Sequence, residues 1–237
     1  MRRTFLAALL IAPLTFAGIA PASASDFSSD QVATAFSTMM SRAEARQLSV
    51  NSRMQSNFGV ARVDKGTPDA PCLCTITGGV TIKGDGAKRL ASVAYLAEDG
   101  TAVGEVSQEV HIFASPAQAR RAYAGILEQA KKCDGEHMEA TVSTDESAKE
   151  MTVQLSHGTK SLSDKGNFLW VRTVTTKPGE GGFASYEYVT VHRFGRFIQI
   201  VEVENEGVGA RAITPKEIAR ADQLTDSLSN RWLASFR

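Results

Sequence analysis

Residues 185–204 read Ser-Tyr-Glu-Tyr-Val-Thr-Val-His-Arg-Phe-Gly-Arg-Phe-Ile-Gln-Ile-Val-Glu-Val-Glu. β-branched and aromatic residues dominate both halves, and Phe194-Gly195 interrupts them. That composition predicts a hairpin of two strands, 185–193 and 196–204. Alternation puts Tyr186, Tyr188, Thr190 and His192 on one face of the first strand. Thr214-Pro215-Lys216-Glu217 follows within a few residues. It is a capping box with proline at the first helical position. Ile218, Ala221, Leu224, Leu228 and Trp232 then recur at helical spacing, which predicts a helix over 215–236 with one apolar stripe. A hairpin feeding an amphipathic helix belongs to a sheet with helices laid against it.

The same sequence of signals occurs upstream. Strands are predicted at 72–83, 90–97 and 104–114, separated by Gly-Asp-Gly and Glu-Asp-Gly turns. Ser115-Pro116-Ala117-Gln118 opens a second helix, whose stripe is Ala119, Ala122, Tyr123, Ile126, Leu127 and Ala130. Further strands are predicted at 139–144, 151–156 and 168–177. Val32, Phe36, Met39, Met40 and Ala43 predict a helix over 29–50, and the polar stretch 51–70 reads as a loop or weak extension. A hydroxyl residue followed by proline is a common way to start a helix, and that explains the recurrence better than a duplicated unit. The expected fold class is α+β: a twisted antiparallel β-sheet with helices packed mainly on one face.

The N-terminus reads as an export leader. Arg2 and Arg3 precede an apolar stretch over 5–20, and Ala22-Ser23-Ala24 fits the small-residue cleavage rule, placing cleavage before Ser25. The apolar run is shorter than the ~20 residues a membrane-spanning helix requires. Residues 1–24 are therefore expected to be a signal peptide and 25–237 a single secreted domain without a transmembrane anchor. Arg2-Arg3-Thr4-Phe5-Leu6 leaves both the general secretory and the twin-arginine routes open. Loss of the two arginines takes 26 Lys+Arg to 24 against 26 Asp+Glu. The chain lacks the basic excess of a nucleic-acid binder.

Three cysteines, Cys72, Cys74 and Cys133, limit the covalent chemistry. An exported protein with few cysteines usually has them oxidised. Cys72 and Cys74 lie two apart on a predicted strand, where a bond between them would be strained. Cys133 is expected to pair with Cys72 or Cys74, leaving one thiol over. Cu(I) binding by Cys-Leu-Cys lacks a supporting histidine or methionine, and no metal site is expected.

Catalytic signals are sparse. His111, His137, His157 and His192 fall in four separate segments, and no Gly-x-Ser-x-Gly elbow exists. His192 is expected on an edge strand, exposed to water. Glu202, Glu204 and Glu206 alternate without the spacing of a calcium loop, and they read as a solvated acidic strand edge. Trp170, Tyr186, Tyr188 and His192 are the candidate ligand-binding residues, on a face that lines a sheet–helix cleft. The competing reading packs these rings into the core beneath the last helix with Trp232. No catalytic residue and no cofactor are expected.

A resemblance gathers these pieces. Glu105-Val106, His111-Ile112-Phe113-Ala114-Ser115-Pro116, Ala119-Arg120, Lys132-Cys133-Asp134-Gly135 and Val191-His192-Arg193-Phe194-Gly195-Arg196 resemble the PknH-like extracellular sensor domain of actinobacteria, over most of the chain. The resemblance implies a strongly twisted antiparallel sheet, flanking helices fixed by disulfides, and a cleft for an unidentified ligand. Cys133 matches the cysteine that closes the helix after Ser-Pro. The last helix has no cysteine, so a second such disulfide is missing, and no kinase accompanies the domain. Two functions follow. One is a secreted, non-enzymatic binding protein holding a small molecule or envelope component in the cleft. The alternative is a surface module that binds a protein partner or dimerises through the unpaired cysteine.

Overall fold

A computed structural model describes residues 29–48, 54–62, 87–99, 102–132, 137–144, 147–162, 165–176, 183–208 and 210–236. The expected export leader, the strand expected at 72–83 and all three cysteines lie outside these residues. The described elements are α1 (Ser29–Thr38), α2 (Arg42–Ala45), β1 (Met54–Arg62), β2 (Ala87–Asp99), β3 (Ala102–Phe113), α3 (Pro116–Lys132), β4 (His137–Thr144), β5 (Ser147–Leu162), β6 (Lys165–Thr176), β7 (Phe183–Phe194), β8 (Phe197–Val208) and α4 (Pro215–Ser235).

The eight strands form one antiparallel sheet in the order β1-β2-β3-β8-β7-β6-β5-β4. The quoted stretch is its β7–β8 hairpin. Phe194 pairs with Phe197 across the turn, and Gly195 takes the left-handed conformation at φ +52°, which a side chain would disfavour. β8 then lies between β7 and β3, so the hairpin joins the two halves of the sheet.

Parity along the strands separates two faces. Val106, Val110 and Ile112 of β3, Phe197, Val201 and Val203 of β8, and Tyr188 and Phe194 of β7 share one core with Ala35, Met39, Met40, Leu48, Ala221, Leu228 and Trp232. That face is covered by α1, α2 and α4. The other face of the same strands carries Phe113, Val189, Val191, Ile198 and Ile200, all buried. α3 covers it with Ala119, Ala122, Tyr123 and Ile126. Three of the four described helices thus share a face, the arrangement expected for this α+β chain. The two helices that begin with a hydroxyl residue and proline sit on opposite faces. A two-fold axis exchanging antiparallel β3 and β8 would run normal to the sheet and keep both helices on one face. The recurrence is helix-start chemistry rather than internal symmetry.

Two expectations are corrected. The helix expected over 29–50 breaks after Thr38. The Met40 amide donates to Gln108 Oε1 at 2.6 Å, which removes it from a helical ladder. Ser41 then opens α2 with its own capping box to Glu44. Arg231 of α4 pairs with Glu44 and donates to the Met39 carbonyl at 3.1 Å, tying α2 to α4. The segment read as a loop contains β1, paired with β2 over its whole length. Its polar composition hides a ladder supplied by the neighbour, while Phe58 packs edge-on against Phe36 at 4.8 Å.

Candidate functional site: a buried polar seam beneath the last helix

α4 begins with both halves of its capping box. Glu217 N donates to Thr214 Oγ1 at 3.3 Å, and the Glu217 carboxylate accepts from the Thr214 amide at 2.8 Å. Arg211 donates to both Glu217 oxygens at 3.0 and 2.6 Å. This pairing with Arg211, with the Thr214 hydrogen bonds and against the opposing effect of burial, holds the Glu217 carboxyl at a pKa of about 2.

From that fixed start, helical spacing turns Ala221, Thr225, Leu228, Ser229 and Trp232 onto the sheet, where all five are buried. Small and hydroxyl residues at 221, 225 and 229 let the helix approach closely, and they meet the polar positions of β7 in order. Tyr188 Oη donates to Asp222 Oδ1 at 2.8 Å. Thr225 donates to the Ala221 carbonyl at 2.8 Å and so accepts from Thr190, 2.8 Å away. His192 Nδ1 lies 2.8 Å from Ser229 Oγ.

Gln199 of β8 extends the seam. Its Nε2 donates to the Thr225 carbonyl at 3.0 Å and to Ser229 Oγ at 3.2 Å. Its Oε1 accepts from Gln108 Nε2 at 2.7 Å. Gln108 Oε1 in turn accepts from the Met40 amide. Gln108, Gln199, His192 and Ser229 are each 0% exposed. One buried ladder therefore runs from the break between α1 and α2, across β3 and β8, to α4. Buried amides and hydroxyls are tolerable only when paired in this way.

Ser229, His192 and Asp226 form a suggestive trio, with His192 Nε2 3.5 Å from Asp226 Oδ1. The geometry fits positioning rather than nucleophilic attack. The Ser229 hydroxyl donates to the Thr225 carbonyl at 2.8 Å. Its oxygen therefore accepts from His192 Nδ1–H and from Gln199. The proton a base would remove already serves the helix, and the oxygen is buried away from any substrate.

The candidate ligand residues are divided by the sheet. Tyr188 and His192 line the seam, and Tyr186, half-buried, follows them on the same face. Trp170 is registered against Val189, a position of the opposite face. His192 is neither on an edge strand nor exposed: β7 is flanked by β6 and β8, and α4 lies over the imidazole. Burial, then the bond to Asp222, pushes the Tyr188 phenol far above its ordinary range. The partners that mark the seam, Gln108, Gln199, Thr225 and Ser229, escaped sequence reading. A visible signal existed in the threonine and serine interrupting the apolar stripe of the last helix.

The acidic residues of β8 are also corrected. Glu202 and Glu204 sit on an interior strand, not a solvated edge. Glu204 is registered between Glu105 of β3 and Glu187 of β7, and Glu187 against Arg172 of β6. Glu187 and Glu204 are both buried. Among the described residues no three His, Cys, Asp or Glu side chains are grouped to hold a metal, and no described helix is long and apolar enough to cross a membrane.

An eight-stranded antiparallel sheet with its last helix fixed by a buried polar seam defines an α+β domain. The chain belongs to the PknH-like extracellular domain family, which it matches over residues 27–193. It is similar in fold to the extracellular domain of PknH from Mycobacterium tuberculosis, with a TM-score of 0.53 and 14% identity, covering 82% of this chain and 94% of that one. An uncharacterised protein of Mycobacterium smegmatis aligns with a TM-score of 0.39 and 13% identity over 78% of this chain and 92% of its own. No curated protein matches the chain.

Proposed function

We propose that this protein is a secreted, non-enzymatic binding domain that recognises a small extracellular or envelope molecule beside α4. Membership of the PknH-like extracellular domain family over residues 27–193 carries the reading. The local geometry supports one location. The seam proper is filled by α4, but along its border two half-buried carboxylates stand in line, Asp222 at the Tyr188 hydroxyl and Asp226 3.5 Å from His192, with half-buried Tyr186 on the same strand face. On this face α4 packs on β7 and β8, so the proposed location is the border between the strands that α4 covers and β6 beyond them. A phenol and two carboxylates at such a border suit a hydroxyl-rich or cationic ligand. His192 and Tyr188 hold α4 in register there, and in this reading Trp170 belongs to the other face.

Native mass spectrometry of protein purified from its host tests the proposal. The expected result is a folded protein carrying an extra small mass that is lost on denaturation. Tyr186→Ala and Asp226→Asn should lower the occupied fraction. Protein from the host that is folded and carries no added mass under any growth condition overturns the reading.

A further inference from the structure

The formal net charge is zero, yet the register sorts the charges to opposite ends of the sheet. One end is where β2 begins, β3 ends and the β7–β8 turn lies. There Ala87 pairs with Phe113 and the Phe113 amide donates to the Arg196 carbonyl at 3.0 Å. The turn contributes Arg193 and Arg196. The neighbouring strands place Arg62 against Arg89, beside Lys88. Lys160 and Lys165 occupy the same end of β5 and β6. α3 leaves two residues after Phe113 and adds Arg120 and Arg121, both exposed because Ala119, Ala122 and Tyr123 face the sheet. Residues 60–62, 87–90, 110–113, 116–126, 158–162, 165–168 and 191–200 contain no Asp or Glu.

The other end has the opposite sign. Glu98 and Asp99 close β2, Glu105 lies near the start of β3, and Glu204 and Glu206 lie in the last part of β8, with Glu202 at its middle. Glu187 adds to them from β7, with Arg172 as the basic residue registered beside it.

We infer that the basic end is a docking surface for an anionic lipid bilayer. Basic residues stand at this end of strands from β1 to β5 in sheet order, along a line that the sheet twist fans. α3 displaces Arg120 and Arg121 out of that line by one layer. The result is a broad area rather than a pocket or a single track, which suits a plane of phosphate headgroups better than a small anion or one linear polymer. Arg120 and Arg121 make no ion pair among the described residues. Arg196 lies with its guanidinium 5.5 Å from the Phe197 ring centroid, exposed at the turn. The guanidinium fork matches phosphate oxygens. The acidic end is repelled by the same surface, so the field turns the sheet end-on to the membrane.

Vesicle co-sedimentation of the full secreted chain tests this. The probes are phosphatidylcholine vesicles, the same vesicles containing phosphatidylglycerol, and soluble polyphosphate. Binding is expected to the anionic vesicles alone and to fall as salt rises. Arg120→Ala/Arg121→Ala, at exposed helix positions and with unchanged circular dichroism, should weaken it about 30-fold. Arg120→Lys/Arg121→Lys should retain most of it, and Glu98→Gln/Asp99→Asn should not weaken it. No binding to anionic vesicles at low salt overturns the proposal. So does equal binding to neutral vesicles, polyphosphate binding without vesicle binding, or insensitivity to the arginine pair.

Discussion

Replacing Gln199 by leucine offers the sharpest test of the buried ladder. Gln199 is 0% exposed and serves Gln108, the Thr225 carbonyl and Ser229 Oγ at 2.7, 3.0 and 3.2 Å. Leucine has a similar volume, so packing changes little. What changes is that Gln108 Nε2 loses its acceptor inside the core, an orphan costing roughly 1–3 kcal/mol. The two bonds to α4 are lost as well, at about 1 kcal/mol net each. The expected destabilisation of Gln199→Leu is therefore about 3–5 kcal/mol, read from the shift in urea midpoint at constant slope. Gln108→Leu orphans Gln199 Oε1 and the Met40 amide and should cost a comparable amount. In Gln108→Leu/Gln199→Leu the Met40 amide stays unpaired, but neither glutamine is left as an orphan of the other, so the double variant should be less destabilised than the sum by roughly 1–3 kcal/mol. Strict additivity, or a Gln199→Leu cost below about 1 kcal/mol, would refute the claim that the ladder acts as one unit.

Two further outcomes are expected. The Glu217 carboxyl is lowered from 4.5 to about 2 in the folded chain, chiefly by Arg211. Its contribution is therefore present above pH 4.5 and is lost as the pH falls toward 2; Glu217→Gln should flatten that part of an acid-stability curve, and an unchanged curve would contradict the assignment. Trp232 is 0% exposed and stacks on Phe236 at 4.7 Å, so Trp232→Ala should cost about 3–5 kcal/mol in urea unfolding. Trp232→Phe should cost less, because the buried indole N–H has no partner among the described residues.

The hairpin and both proline-initiated helices were legible because local chemistry decides them. A glycine turn, a capping box and an apolar stripe require nothing from the rest of the chain. β1 was not legible, because a polar strand is defined by what pairs with it. The break at Met40 was hidden for a related reason: Gln108 takes its amide from 68 residues away. The candidate face Tyr186, Tyr188 and His192 followed from alternation along a single strand. Placing Trp170 with them required the register between β6 and β7, which alternation within one strand does not provide. His192 looked exposed because it lies near a turn. Its burial depends on α4 folding back over that turn, where Leu233 stands 3.5 Å from the position of a Gly195 Cβ.

The pairing of β3 with β8 also orders events in time. Gln108 and Gln199, which meet across this seam, are 91 residues apart. A chain emerging from its N-terminus completes β1, β2 and β3 while the inner edge of β3 still has no neighbour. Everything from α3 through β7 must follow before β8 fills the gap. During that interval β3 is an open template for any extended segment, the situation that favours non-native strand addition. Closing so long a loop is entropically slow. Chaperone dependence during synthesis should therefore track the arrival of β8, and truncations ending before residue 197 should aggregate rather than fold.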